Sequence, residues 1–130
     1  MKILVDTNIL LSAMWFQNSN AAKALLHVSA NHELVLCDLN IKEMREVIRR
    51  KTPDILDDLE IFLTELSYKL IRSTKESSVK IRDPKDQPIL NAAIECGVDI
   101  ILTGDKDFLS LELASPKPMT IAQFLKAEGF

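Results

Sequence analysis

The chain opens with Lys2-Ile3-Leu4-Val5 and stops abruptly at Asp6-Thr7-Asn8. A short apolar, partly branched run that ends in a turn-forming polar cluster reads as a buried central strand, apolar on both faces as parallel strands are. The Asp6 carboxylate then falls at the strand's C-terminal edge, where open α/β sheets place their ligand sites. Thr7 and Asn8 can bond the local backbone and begin the next turn. On this stretch alone, Asp6 is equally well read as the N-cap of the helix that follows.

The same pattern recurs downstream. Glu33-Leu34-Val35-Leu36-Cys37 is a second apolar run ending in Asp38, and residues 98–103 form a fourth that leads into Gly104-Asp105-Lys106-Asp107-Phe108. Residues 69–72 read as a short third strand and residues 117–121 as an edge strand. Helical spacing fills the gaps. Residues 9–16 form a short helix or turn, and Ser19 or Asn20 caps a helix through Leu25 and Val28 that Asn31-His32 closes. A helix over 40–51 puts Ile41, Met44, Val47 and Ile48 on one side, with Glu43 near the border of that stripe. Another begins around Pro53 and carries Leu59, Phe62, Leu63 and Leu66. Residues 87–96 form a helix with Gly97 as its stop, and a last small helix runs to Lys126. Residues 73–80 are a loop or partial helix. Strands alternating with helices predict an α/β chain with a parallel sheet covered on both sides. No repeat or linker divides residues 1–130, so a single domain is expected.

Composition narrows the chemistry. An apolar content of 47% with a mean hydropathy of +0.06 describes a folded chain rather than a disordered one. The formal net charge of −3 does not mark a general nucleic-acid binder. A phosphate ligand would therefore need a metal ion or a local basic patch. Cys37 and Cys96 are far apart in apolar surroundings and read as reduced core residues. No run reaches membrane-spanning length and no basic-then-apolar leader is visible, so a cytoplasmic protein without a membrane partner is expected.

Carboxylates carry the candidate chemistry. If the first and fourth strands are neighbours, Asp6 and Asp105 converge at one sheet edge. Asp86 opens the helix feeding the fourth strand, Asp107 lies two residues past Asp105, and Glu43 reaches over the same edge from its helix. Several carboxylates at one spot need a counter-charge. Oxygen-only ligands at an open edge suit Mg²⁺ or Mn²⁺, which can lower the pKa of a bound water and steady a phosphodiester in displacement. No His, Ser or Cys arrangement offers a rival nucleophile, and His27 and His32 have no evident partner. Each acid also has a plain reading: Glu43 as a solvated charge, Asp86 as an N-cap, Asp105 as a turn former, Asp107 as a cap of the Phe108-Leu109 turn. Lys42, Arg45, Arg49, Arg50 and Lys51 are either a solvated helix face or a phosphate-steering patch.

Four pieces in this order carry a resemblance. They are Ile3-Leu4-Val5-Asp6-Thr7-Asn8, then Glu43-Met44-Arg45-Glu46-Val47-Ile48. They continue with Asp83-Pro84-Lys85-Asp86-Gln87-Pro88-Ile89-Leu90-Asn91-Ala92-Ala93 and Ile101-Leu102-Thr103-Gly104-Asp105-Lys106-Asp107-Phe108. Over nearly its whole length the chain resembles a PIN domain (the PilT N-terminal type), in the branch of VapC-like toxin ribonucleases. The resemblance implies a three-layer α/β/α sandwich around a parallel sheet of four to five strands, and Mg²⁺- or Mn²⁺-dependent cleavage of RNA. It implies Asp6, Glu43, Asp86 and Asp105 as the catalytic acids, with Asp6, Asp86 and Asp105 on the metal. Asn8 and Thr103 match polar positions that line such sites, and Asp107 takes a supporting role at most. Asp83 competes with Asp86, but Pro84 keeps Asp83 extended and the apolar period after Asp86 fits the pattern better. Lys42, Arg45 and Arg49 are the expected RNA contacts. A homodimer and a small antitoxin partner are implied as well. Two rivals remain: a non-catalytic PIN-like domain that binds RNA or protein, and a phosphoryl-accepting receiver domain. The receiver's early acid pair and late lysine are missing here.

Overall fold

The computed structural model describes residues 1–75 and 79–130. Five strands form one sheet: β1 (Lys2–Val5), β2 (Glu33–Cys37), β3 (Lys69–Ile71), β4 (Ile100–Leu102) and β5 (Lys117–Met119). Their order is β3-β2-β1-β4-β5, and every pairing is parallel. β1 is therefore the middle strand, with Ile3 opposite Leu34 on one side and Ile100 on the other.

Side-chain alternation splits the core into two layers. Ile3, Val5, Leu34, Leu36, Ile100 and Leu102 pack with α1 (Thr7–Trp15), α2 (Asn20–Asn31), α3 (Asp38–Lys51), α4 (Leu56–Glu65) and α7 (Ile121–Ala127). Leu4, Val35, Cys37, Ile71 and Ile101 face the other way, onto Ile89, Leu90, Ala92 and Ala93 of α5 (Gln87–Glu95) and Phe108 of α6 (Lys106–Leu109). Both faces of the inner strands are apolar because both are covered. The result is the expected three-layer α/β/α sandwich, with five strands.

The elements differ from expectation mainly at their ends. α3 begins at Asp38; the Cys37 N–H donates to the Asn40 side chain at 3.2 Å, which fixes the turn from strand to helix. Pro53–Ile55 is a 3₁₀ turn, and α4 starts only at Leu56. β4 is confined to Ile100–Leu102, three residues paired with β1 on one side and β5 on the other. Gly97 ends α5 at φ +68°, a conformation that glycine adopts without steric cost. The expected loop or partial helix over residues 73–80 falls partly outside the described residues. Cys37 is buried, Cys96 is partly exposed, and both are free thiols. Among the described residues, no helix is long and apolar enough to cross a membrane.

Candidate metal centre

Because all strands run the same way, their C-terminal ends share one edge of the sheet. Asp6 follows β1 and caps α1, its Oδ1 accepting from the Thr7 N–H at 2.8 Å. Its Oδ2 accepts from the Thr103 hydroxyl at 2.9 Å. That hydroxyl also accepts from the Asp105 N–H at 3.0 Å, so one side chain after β4 ties both strand-end loops together. Asp105 in turn caps α6, accepting from the Asp107 N–H at 2.8 Å. The capping reading of Asp6 is thus correct, while the turn before Phe108 is capped by Asp105 rather than by Asp107; Asp6 and Asp105 still have their carboxylates at the shared edge. Burial pushes the Asp6 carboxyl up from the ordinary range, the Thr103 and Thr7 bonds work against this, and Asp105 adds to it.

Asp86 behaves differently. It precedes α5 but makes no capping bond, and its Oδ2 is buried without a hydrogen-bond partner. Native structures rarely leave a buried polar atom without a partner, and an ion that is not displayed is one established explanation. Burial, then the charges of Asp105, Asp83, Asp6 and Glu43, push the Asp86 carboxyl up to about 7. Three of the expected acids, Asp105, Asp6 and Glu43, thus act on the Asp86 carboxyl, together with Asp83, which the expected set left out. Asp83 and Asp107 are also close: their carboxylate oxygens and one of Asp86 lie within 4.8 Å of one another. Asp83 has a local task too, its Oδ1 accepting from the Lys85 N–H at 3.0 Å and its carbonyl from the Asp86 N–H at 3.0 Å.

Glu43 comes from α3, at the rim. Its Oε2 is 3.5 Å from the Thr7 hydroxyl, which accepts from the Asn40 amide at 3.0 Å. Burial of the carboxylate and the Asp6 charge push it up as well. Thr7 and Asn40 are almost wholly buried. The sequence reading missed their part in aiming Glu43, although a Thr and an Asn in the first turns of adjoining helices are the available signal. Asn8 is exposed on the first turn of α1.

An open groove of about 630 Å³ runs over this edge. Lys42, Glu43, Glu46 and Arg50 of α3 line it together with Asp83, Lys85, Asp86 and Asp105. The expected basic patch divides here. Lys42 lines the groove, whereas Arg45 is held by Glu60 of α4 through bonds of 2.7 and 3.1 Å. Arg49 is exposed and does not line the groove, while Arg50 and Lys85 do. Asp38, at the end of β2, is not among the converging acids. It accepts from the Leu39 and Ser73 N–H groups at 2.8 and 2.9 Å and so ties the end of β2 to the chain after β3.

The donor set is all oxygen, and a buried carboxylate oxygen within it has no other partner. Such a set fits a hard divalent cation. No curated protein matches the sequence. By shape, the chain is similar to a chain in the crystal structure of VapBC2 from Rickettsia felis bound to a DNA fragment from their promoter. The TM-score is 0.70 at 14% identity, covering 92% of this chain and 98% of that one. The family model of the PIN domain matches residues 2–107. The chain therefore belongs to the PIN domain family.

Proposed function

We propose that the chain is a metal-dependent endoribonuclease and the toxin half of a toxin–antitoxin pair. The observation that carries this reading is the unpartnered, buried Asp86 Oδ2 among converging acids. Asp6, Asp86 and Asp105 would hold Mg²⁺ or Mn²⁺. When bound, such an ion lowers the pKa of a water and offsets charge on a phosphodiester in displacement. Thr103 keeps Asp6 and Asp105 in register through its single hydroxyl. Glu43, raised in pKa and steadied by Thr7, stands at the rim where a proton can be taken from an attacking water. Asp107 supports the site beside Asp86, Asn8 offers an exposed polar group one residue past Thr7, and Lys42, with Lys85 and Arg50, draws the RNA backbone into the groove.

The antitoxin partner and the VapC-like branch rest on the likeness to the VapBC2 structure, and the homodimer on the family resemblance. The completeness of the acid set favours catalysis over a non-catalytic binding domain. The test is cleavage of a single-stranded RNA with Mg²⁺ or Mn²⁺ and again in excess EDTA. Cleavage is expected only with the metal; equal cleavage in EDTA would remove the metal mechanism.

A further inference from the structure

A second cluster of ligating side chains lies at the opposite edge of the sheet. His27 is on α2, His32 is on the link from α2 into β2, and Glu128 caps the C-terminus of α7. The His27 Nε2 is 3.0 Å from Glu128 Oε1, and the His32 Nε2 contacts the same oxygen. One ligand atom from each of the three lies within 4.8 Å of the other two. The side chains are mostly enclosed, at 19%, 13% and 21% exposure.

The surroundings aim the rings. The Asn31 amide is 3.1 Å from the His27 Nδ1, and the Met1 nitrogen is 3.3 Å from the His32 Nδ1. Both groups donate to Nδ1, so Nε2 faces the cluster and its proton goes to Glu128. A cation on Nε2 would release that proton to solvent, with the ring N–H moving to Nδ1 and the Asn31 amide oxygen and the neutral Met1 amine turning to accept it. Phe124 and Phe130 stand edge-on to the His27 ring at 5.9 and 5.0 Å and restrict its rotation. β2 alone separates this cluster from the acid edge by roughly 15 Å, at about 3.3 Å per residue.

Two imidazoles with one carboxylate form a donor set that suits Zn²⁺ and its neighbours and leaves a fourth position open. The acid centre, being all oxygen, suits harder cations, so the two ends of the sheet differ in the metal they select. We propose that His27, His32 and Glu128 form a transition-metal site, with Zn²⁺ the best-fitting cation, that clamps α7 onto α2. Its ligands come from chain segments about a hundred residues apart (positions 27, 32 and 128). A cation there would fasten the C-terminal helix to the helix beside the first strand.

The test uses the metal-stripped chain of residues 1–130 in millimolar Mg²⁺, added to compete for the acid centre and resting in that respect on the proposed function. ZnCl₂ is titrated by calorimetry, and CoCl₂ is followed by visible absorption. One equivalent of Zn²⁺ is expected to bind, with Co²⁺ giving the bands of a low-coordinate nitrogen–oxygen site. Affinity should fall by more than about 100-fold in His27→Gln and His32→Gln, beyond what losing an outer partner of a ligand costs. It should be unchanged in Asp86→Asn. Zn²⁺ should raise the melting temperature of the parent but not of Glu128→Gln, a partly exposed position outside the hydrophobic core. No Zn²⁺ binding in Mg²⁺, binding that survives both histidine changes, or binding lost in Asp86→Asn would each overturn the proposal.

Discussion

The Thr103 hydroxyl donates to Asp6 Oδ2 at 2.9 Å, joining two residues 97 positions apart, and accepts the Asp105 N–H with its lone pair. Thr103 is fully buried. Thr103→Val keeps the shape and removes both bonds, leaving a carboxylate oxygen and an N–H without partners. Urea unfolding should show a loss of about 1–3 kcal/mol, with a fall in RNA cleavage. Thr103→Ser should recover most of both.

Asp86 and Asp83 differ in what their oxygens already do. Asp83 closes a turn with Lys85, whereas Asp86 has an oxygen with nothing to bond. Asp86→Asn should abolish cleavage in a fixed-time RNA assay, while Asp83→Asn keeps most of it. The reverse order would mean that Asp83 is the third ligand.

The raised Asp86 carboxyl gives a pH signature. Its folded pKa of about 7 lies above the ordinary 3.8, so the folded state binds the proton more tightly than the unfolded chain does. Stability is then fully present below pH ~4 and is lost as pH rises through about 7. A shift of this size corresponds to ~4 kcal/mol at 1.36 per unit; solvent screening at a half-buried group reduces the expectation to about 1–2 kcal/mol. Melts in EDTA between pH 5 and 8 should show this slope in the parent and a flatter one in Asp86→Asn.

Metal and charge at Asp6 oppose each other. Without metal, Asp6→Asn removes a buried charge beside Asp105 and keeps an oxygen for the Thr7 N–H. The variant should melt no lower than the parent in EDTA, and higher by the equivalent of about 1 kcal/mol. Mg²⁺ should stabilise the parent increasingly above its dissociation constant, and the variant much less. A variant that melts well below the parent would make Asp6 a structural cap alone.

The basic residues separate by partner. Arg45 is engaged by Glu60, while Lys85 and Arg50 line the groove. Lys85→Ala and Arg50→Ala should each lower the salt slope of single-stranded RNA binding by about 0.7. Arg45→Ala should leave it unchanged in the same filter-binding series.

The sheet was legible because β1, β2 and β4 are buried on both faces, and Leu, Val and Ile runs ending in Asp state this directly. The convergence of Asp6 with Asp105 was expected only if the first and fourth strands were neighbours, and the parallel pairing of β1 with β4 meets that condition. What was not legible depends on packing between distant segments. Helical spacing turns Arg45 away from the core but says nothing of Glu60 on a neighbouring helix. The Asn40–Thr7–Glu43 relay crosses 33 positions, and no local pattern records it. Asp83 approaches Asp86 through a turn and Asp107 from the short helix α6 of a distant segment, neither of which periodicity describes. The partners of His27 and His32 lay hidden for the same reason, since Glu128 is at the far end of the chain.

The central position of β1 has a consequence for how the chain is made. Ile3 must wait for Ile100 before its inner edge is paired, and closing so large a loop is a slow event in folding. During synthesis the first strand emerges with one edge unmatched, and the Asp105 that completes the acid edge follows Asp6 by 99 residues. A growing chain therefore carries Asp6 and Glu43 without the arrangement that would make them a site until β4 and its trailing loop have followed.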